Sequence, residues 1–238
     1  MNFAHRAYEL DLGLHTSHRN TRSVPMLENM DVWKNMAFHY QFALRELETK
    51  IMIVNTEWKL QDGYSPIEHI KTRLKEPASI MKKLERKRLP KTLESVRDKL
   101  FDVAGVRIVC AFVEDIYRIA DHFKQREDLR LVEIKDYIAS PKPNGYQSLH
   151  LIVQVPLVLN EGTQWVNAEI QLRTLAMDFW ASLEHILYYK YDKQVPPYVL
   201  HELTEAAEAA NSLDQKMLRL RKEILNGKEF KVVAGAKA

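Results

Sequence analysis

Two carboxylates and one basic run carry the clearest chemistry in the chain. Asp102 stands in Phe101-Asp102-Val103-Ala104-Gly105-Val106-Arg107, at the mouth of an expected strand, and Glu169 alternates onto the polar side of another. From Lys71 to Lys91 nine basic residues stand against Glu76 and Glu85, a charge of +7 that leaves −4 for the rest of a chain whose formal total is +3. Such a concentration makes a local field that attracts phosphates, whether of a nucleotide or of a nucleic acid. Mg²⁺ prefers one or two carboxylates completed by phosphate oxygens, so Asp102 and Glu169 beside this run fit a magnesium nucleotide site. The competing readings are structural: salt bridges to Arg107 or Arg173 for the carboxylates, and a solvated helix face for the run.

A second group surrounds Tyr146. Lys142-Pro143-Asn144-Gly145 is a turn signal that sets the ring at the rim of a pocket, where its face could stack on a purine while Lys142 and His150 supply charge for phosphates. The alternative is a half-buried strand tyrosine. Asp178 shares a helix face with Ser182 and His185. A carboxylate accepts from N1 and N2 of guanine and is repelled by O6 and N7, so Asp178 could select a base by its edge; as a lone Asp it could equally serve the helix dipole.

Other chemistries are excluded. The seven glycines, at 13, 63, 105, 145, 162, 227 and 235, cannot build a Rossmann fingerprint or a Walker loop. Neither H-E-x-x-H nor G-x-S-x-G occurs. The single Cys110 forbids an intrachain disulfide and a cysteine-rich zinc site. No segment approaches the ~20 apolar residues that cross a bilayer, and the first residues lack the apolar core of a secretion signal. The expected location is cytoplasmic.

The elements that must position these residues follow from periodicity. Residues 1–27 read as a tail, 28–225 as a single domain and 226–238 as a second tail. A long helix spans 28–60, where Trp33, Met36, Tyr40, Leu44, Leu47, Ile51 and Val54 recur at three- and four-residue spacing. Ser65 is expected to cap a short helix from Pro66, and a basic helix follows Pro77. In that second helix Ile80, Met81 and Leu84 form an apolar stripe, while Ser79, Lys83 and Arg86 share another face. The period then changes to two: strands are expected at 106–111, 129–138, 146–155 and 164–173, with a helix at 113–126. Alternation puts Tyr146, Ser148 and His150 on one side and Glu169, Gln171 and Arg173 on the polar side of the next strand, so the two strands can line one surface. Helices at 174–191 and 198–225 close the chain. The expected fold is α+β, a mixed, mostly antiparallel sheet flanked by helices.

These residues together resemble one family. Arg73-Leu74-Lys75 with Ser79-Ile80, the run Asp102 to Arg107, Lys142 to His150, and Ala168 to Thr174 followed by Met177 to Ala181 look like the synthetase motifs of the RelA/SpoT group, in the same order. The chain is similar to the compact small alarmone synthetases of the RelP type over about residues 30–225. The resemblance implies a nucleotidyltransferase-like synthetase fold and GTP pyrophosphokinase activity: the β,γ-pyrophosphoryl group of ATP moves to the 3′-hydroxyl of GDP or GTP, AMP leaves, and ppGpp or pppGpp forms. It implies that Arg73 and Arg107 sandwich adenine and that Lys75, Ser79, Lys83 and Arg86 hold the ATP phosphates. Asp102 and Glu169 would hold Mg²⁺, with Glu169 also deprotonating the 3′-hydroxyl. Tyr146 would stack on guanine, Asp178 would read its edge, Lys142 and His150 would meet the acceptor phosphates, and Gln171 and Arg173 would support them from behind.

The resemblance also implies a homo-oligomer, most readily a tetramer, through the first and last helices, the last carrying an apolar stripe at Leu203, Ala206, Ala207, Ala210, Leu213 and Met217. Gln147 stands where many small synthetases have Arg, and His69 and Lys71 depart from the subgroup that bound alarmone activates. The readings from other classes are an RNA-binding or nucleotidyl-transferring protein using the same cations and carboxylates, and a nucleotide sensor without catalysis.

Overall fold

Helical periodicity carries the chain from Met30 to Asp62 as α1, and Gly63, at φ +65°, turns it back. The computed structural model describes residues 30–190 and 196–235, so the expected tail at 1–27 lies outside the described residues. After α1 come β1 (Ile67–Leu74), α2 (Pro77–Arg86), α3 (Leu93–Lys99), β2 (Ala104–Cys110) and α4 (Val113–Lys124). Then follow β3 (Arg130–Asp136), β4 (Leu149–Leu159), β5 (Gly162–Thr174), α5 (Leu175–Lys190) and α6 (Pro197–Gly235). The sheet order is β1-β2-β5-β4-β3, with β2 and β5 parallel and every other pair antiparallel. This is the expected α+β fold with a mixed, mostly antiparallel sheet.

Four details correct the sequence reading. The segment from Pro66 is a strand, not a helix, and Ser65 caps nothing: its hydroxyl bonds Asn55 Oδ1 of α1 at 2.8 Å. Ile67, Ile70 and Leu74 fall at spacings of three and four that imitate a helical stripe, because a register irregularity between Ile67 and His69 breaks the strand's alternation. The short α3 was not expected, although Thr92 caps it by accepting from the Ser95 amide at 3.2 Å. Tyr146 precedes β4 instead of opening it, and α6 continues to Gly235, beyond residue 225 where its spacing seemed to end.

One face of the sheet is apolar. Val106, Ile108, Ala168, Ile170, Leu172, Leu151 and Val153 are buried there against α1, through Leu44, Leu47 and Ile51, and against α4, through Ile116 and Ile119. The α2 residues Ile80 and Leu84 close the same core. Register decides what the opposite face carries, since paired residues share a side. Lys71, Arg107, Gln171 and His150 make one row across β1, β2, β5 and β4; Arg73, Gly105 and Glu169 make the next. A smaller cluster of Trp180, Ala181, Leu203 and Ala207 joins α5 to α6, with Tyr146 packed against it.

Candidate active site

The polar rows floor a cavity of about 660 Å³ walled by β1, the Asp102 loop, Tyr146 and α5. Gly105 leaves open the floor between Arg73 and Glu169 in their row, because an added Cβ would find only the Arg73 carbonyl, at 3.8 Å. Of the residues expected from sequence, Arg73, Lys75, Asp102, Arg107, Tyr146, Glu169, Gln171 and Arg173 line this cavity. Hydrogen bonds tie Lys83, His150 and Asp178 to it. Ser79 and Arg86 lie on α2 beside Lys83 but outside the lining, and Lys142 sits over the rings of Tyr137 and Tyr146, 4.5 and 4.7 Å from their centroids.

Asp102 is held by cations. The Lys75 amide donates to the Val103 carbonyl at 2.8 Å, which pins Lys75 beside the loop; its Nζ meets Asp102 Oδ2 at 2.5 Å, and Lys83 Nζ donates to the same oxygen. Burial pushes the Asp102 carboxyl up, but the two lysines outweigh burial and hold it below the usual carboxylate range. Burial likewise lowers the Lys75 ammonium against the pull of Asp102. Asp102 Oδ1 is buried with no partner.

Glu169 is held by an imidazole and an amide. His150 Nδ1 lies 3.0 Å from Oε1, and Gln171 Nε2 donates to Oε2 at 2.8 Å. A carboxylate only accepts, so Nδ1 carries a proton toward Glu169, and Nε2 meets the Tyr146 hydroxyl at 2.9 Å. That hydroxyl accepts in turn from Arg173 Nη2 at 2.8 Å. Burial raises the Glu169 carboxyl, yet the His150 and Gln171 bonds bring it below its ordinary value, so it is ionised at neutral pH. Nearby Asp102 pushes the other way, as expected of two carboxylates around one cavity.

Two expected roles meet a different geometry. Both ring nitrogens of His150 are engaged by Tyr146 and Glu169, which leaves neither for a phosphate. Asp178 is 7% exposed, and its Oδ1 accepts from Arg107 Nη1 at 3.0 Å and from Arg173 Nη1 at 3.1 Å. Its Oδ1 thus aims two guanidiniums, while Oδ2 lies 3.9 Å from His69 Nε2, and Asp178 is not among the residues lining the cavity. The cavity also contains Thr72 and Glu184, to which sequence reasoning gave no role, and Lys71, which it had counted only in the basic run and as a departure from the activated subgroup. The misread β1 hid Thr72 and the place of Lys71 on the cavity floor; Glu184 follows Ser182 by two residues and carried no periodic signal of its own.

Among the described residues no cluster of three or more His, Cys, Asp or Glu side chains could hold a metal ion alone. A cation between Asp102 and Glu169 would therefore complete its shell from substrate phosphates, and the orphaned Asp102 Oδ1 is the donor this requires. Among the described residues no helix is long and apolar enough to cross a membrane.

Comparison with known proteins gives a family and relatives. The profile described as "Region found in RelA / SpoT proteins" matches residues 72–194. The chain is 51% identical over 195 residues to the GTP pyrophosphokinase YwaC of Bacillus subtilis, covering 82% of this chain and 93% of that relative. The crystal structure of small alarmone synthetase 1 from Bacillus subtilis bound to its product pppGpp superposes with a TM-score of 0.76 at 40% identity, over 82% of this chain and 98% of that one. The same synthetase bound to AMPCPP gives a TM-score of 0.70 at 37% identity, over 82% and 98%.

Proposed function

The chain belongs to the RelA/SpoT family, and from that premise we propose how its cavity does the family's chemistry. It is a (p)ppGpp synthetase, a GTP pyrophosphokinase. In that reaction the 3′-hydroxyl oxygen of GDP or GTP attacks the β-phosphorus of ATP. The bond from that phosphorus to the bridging oxygen breaks, AMP leaves, and the hydroxyl proton must be taken up. Glu169 takes it. Its two oxygens are fixed by His150 and Gln171, and its depressed pKa keeps it ionised and ready to accept.

Lys75 and Lys83 exchange Asp102 for the phosphates of ATP as the nucleotide enters, with Ser79 and Arg86 continuing that basic surface along α2. Asp102 and Glu169 would hold Mg²⁺, which when bound neutralises charge on the phosphates. Arg73 and Arg107 rise from neighbouring strands two positions apart in register, a spacing suited to guanidinium planes on either side of adenine. Asp178 braces Arg107 and Arg173. Tyr146 offers its ring to guanine, and Lys142, already over that ring, reaches the acceptor's 5′-phosphates. His150 orients Glu169 in place of binding phosphate.

The observation that carries this reading is the meeting of Asp102, with one unpartnered oxygen, and Glu169, with a fixed carboxylate, on one cavity. Two cations of the basic run point inward to Asp102, which favours a nucleotide site over an RNA surface. Mixing the protein with ATP, GDP and Mg²⁺ should yield AMP and guanosine tetraphosphate in equal amounts; AMP without the tetraphosphate would defeat the reading. We also propose a homo-oligomer, most readily a tetramer. Leu203 and Ala207 are covered within the chain, but Leu213, Met217 and Ile224 of α6 and Phe179 and Ile186 of α5 are not. Light scattering at micromolar concentration should return a multiple of 27.9 kDa.

A further inference from the structure

We infer that Asp214, on α6, is a positioning residue for both nucleotides: it fixes the start of α5, and through it the guanidiniums of Arg107 and Arg173 in the cavity. β5 runs into α5 with no residue between them, since the strand ends at Thr174 and the helix starts at Leu175. The direction in which α5 leaves the sheet is therefore set at Thr174, which is buried. Its hydroxyl accepts from the Met177 amide at 3.1 Å, the bond of a helix N-cap, and donates to Asp214 Oδ2 at 2.6 Å. A hydroxyl has a single proton, so the bond to Asp214 turns its lone pairs toward the helix and holds the cap in one orientation.

Asp178 follows Met177, and its Oδ1 accepts from Arg107 and from Arg173. Arg107 enters the cavity from β2, on the side read as that of ATP, and Arg173 reaches the Tyr146 hydroxyl on the acceptor side. One carboxylate at the start of α5 thus serves both sides, and its place follows that of the cap. Glu169 is bonded by His150 and Gln171, which stand on the sheet, so it keeps its place when α5 shifts. The helix that carries Asp214 is itself anchored. Leu203, Ala207, Asp214 and Arg221 recur on α6 at four- and seven-residue spacing, one stripe turned toward the body of the protein. At its near end the Leu203 carbonyl accepts from Trp180 Nε1 of α5 at 2.8 Å. At its far end Arg221 lies over the rings of Tyr64 and Phe112 and donates to the buried Asp115 at 3.3 Å.

Asp214→Ala removes the acceptor and keeps a strong helix former in α6. AMP release is measured with ATP as donor and GDP as acceptor, and the inference rests on the reading of Arg107 as a contact of ATP and Tyr146 as one of the acceptor. In Asp214→Ala the KM for ATP and the KM for GDP should rise together, each about fivefold, in line with loss of one buried hydrogen bond, while kcat per folded molecule stays within about twofold. Asp214→Asn keeps an acceptor for the hydroxyl and should restore both KM values. Thr174→Val keeps the shape and removes the hydroxyl, and carries the same test if Asp214→Ala does not fold. It should raise both KM values, and adding Asp214→Ala to it should raise them no further. KM values that stay at the wild-type level in Asp214→Ala or Thr174→Val, with only the thermal midpoint lowered, would make the role of Asp214 structural and overturn the inference. KM values that stay high in Asp214→Asn, or that climb again in the double variant, would overturn it too. Arg107→Met separates this from the underlying reading: it should raise the KM for ATP, and if it leaves that KM unchanged the placing of ATP itself is wrong.

Discussion

On the proposed mechanism, the ATP side and the acceptor side of the cavity hold their carboxylates by opposite means. On the ATP side Asp102 is gripped by two ammoniums, Lys75 and Lys83, and keeps one bare oxygen. On the proposed mechanism those bonds are exchanged, because an arriving triphosphate competes for the same cations. The acceptor side is a closed chain of hydrogen bonds, from Asp178 through Arg173, Tyr146 and His150 to Glu169 and Gln171. Nothing in it needs to move before the hydroxyl is deprotonated. Their foundations differ as well: α2, with Lys83, rests on the main core, whereas Tyr146 rests on the small α5–α6 cluster. The proposed mechanism thus has one half reorganise on binding while the other is set in advance, which is where preorganisation helps proton transfer.

The largest effect should come from breaking the fixed half at its end. Glu169→Gln keeps the shape and an acceptor for His150 but removes the charge and the basicity. General-base loss costs ~10² to 10⁴ in rate, and weaker metal binding adds to it. Both nucleotides should still bind, and the thermal midpoint should change little. A well-folded Glu169→Gln protein with more than about a tenth of wild-type turnover would refute the catalytic role.

The exchanging half should answer in binding. Lys83→Met removes one of the two cations on Asp102 Oδ2 while its stem still lies on α2. The KM for ATP should rise about tenfold, in line with loss of one charge-assisted bond to phosphate, and the KM for GDP should not move. Equal changes in both would erase the distinction between the two sides.

Much of this was readable in the residues. The period-two alternation of Leu149 to Val155 and of Val166 to Leu172 put His150 and Glu169 on polar faces, and the β-branched run after Gly105 marked β2. What was not readable is register. That His150 pairs with Gln171, and so lies diagonally from Glu169, depends on how β4 slides along β5. That Asp178 meets Arg107 depends on a strand 71 residues earlier. β1 was concealed for a local reason, because Ser65-Pro66 reads as a helix start and the strand's alternation is irregular, so Thr72 and the place of Lys71 on the cavity floor were not seen. Glu184 shows the same limit: only the folded turn brings Asn144 to it.

A smaller effect should follow from disturbing the satellite cluster. Gly145 adopts φ +83°, and a Cβ there would come within 2.4 Å of Ala207 Cβ on α6. Gly145→Ala must strain the backbone and shift either α6 or the Tyr146 turn, at a cost of about 1 kcal/mol or more in stability. The acceptor KM should rise several-fold with the KM for ATP intact. A variant that loses both equally would show that the turn and the ATP side are one unit.

The smallest effect contrasts two buried carboxylates. Asp214 of α6 is 8% exposed and bonds Thr174 Oγ1 at the end of β5, at 2.6 Å. Burial pushes its carboxyl up, and the Thr174 bond offsets this only in part. Because the folded state then binds the proton more tightly than the unfolded chain, the protein is most favoured below the ordinary carboxylate value. It loses that advantage as pH rises through the raised one. Asp102, held below its ordinary value, runs the other way: its contribution is present above the unfolded pKa and lost as pH falls through the folded one. Asp214→Asn keeps the shape and an acceptor for Thr174 without the charge. Its midpoint should exceed that of the wild type at neutral pH, and the gain should shrink as pH falls toward ~4, where the free carboxyl protonates. Thermal scans of both proteins across that range decide it. A midpoint for Asp214→Asn below the wild-type value at pH 7 would mean that the ionised group is stabilising after all, and that the two carboxylates are held alike.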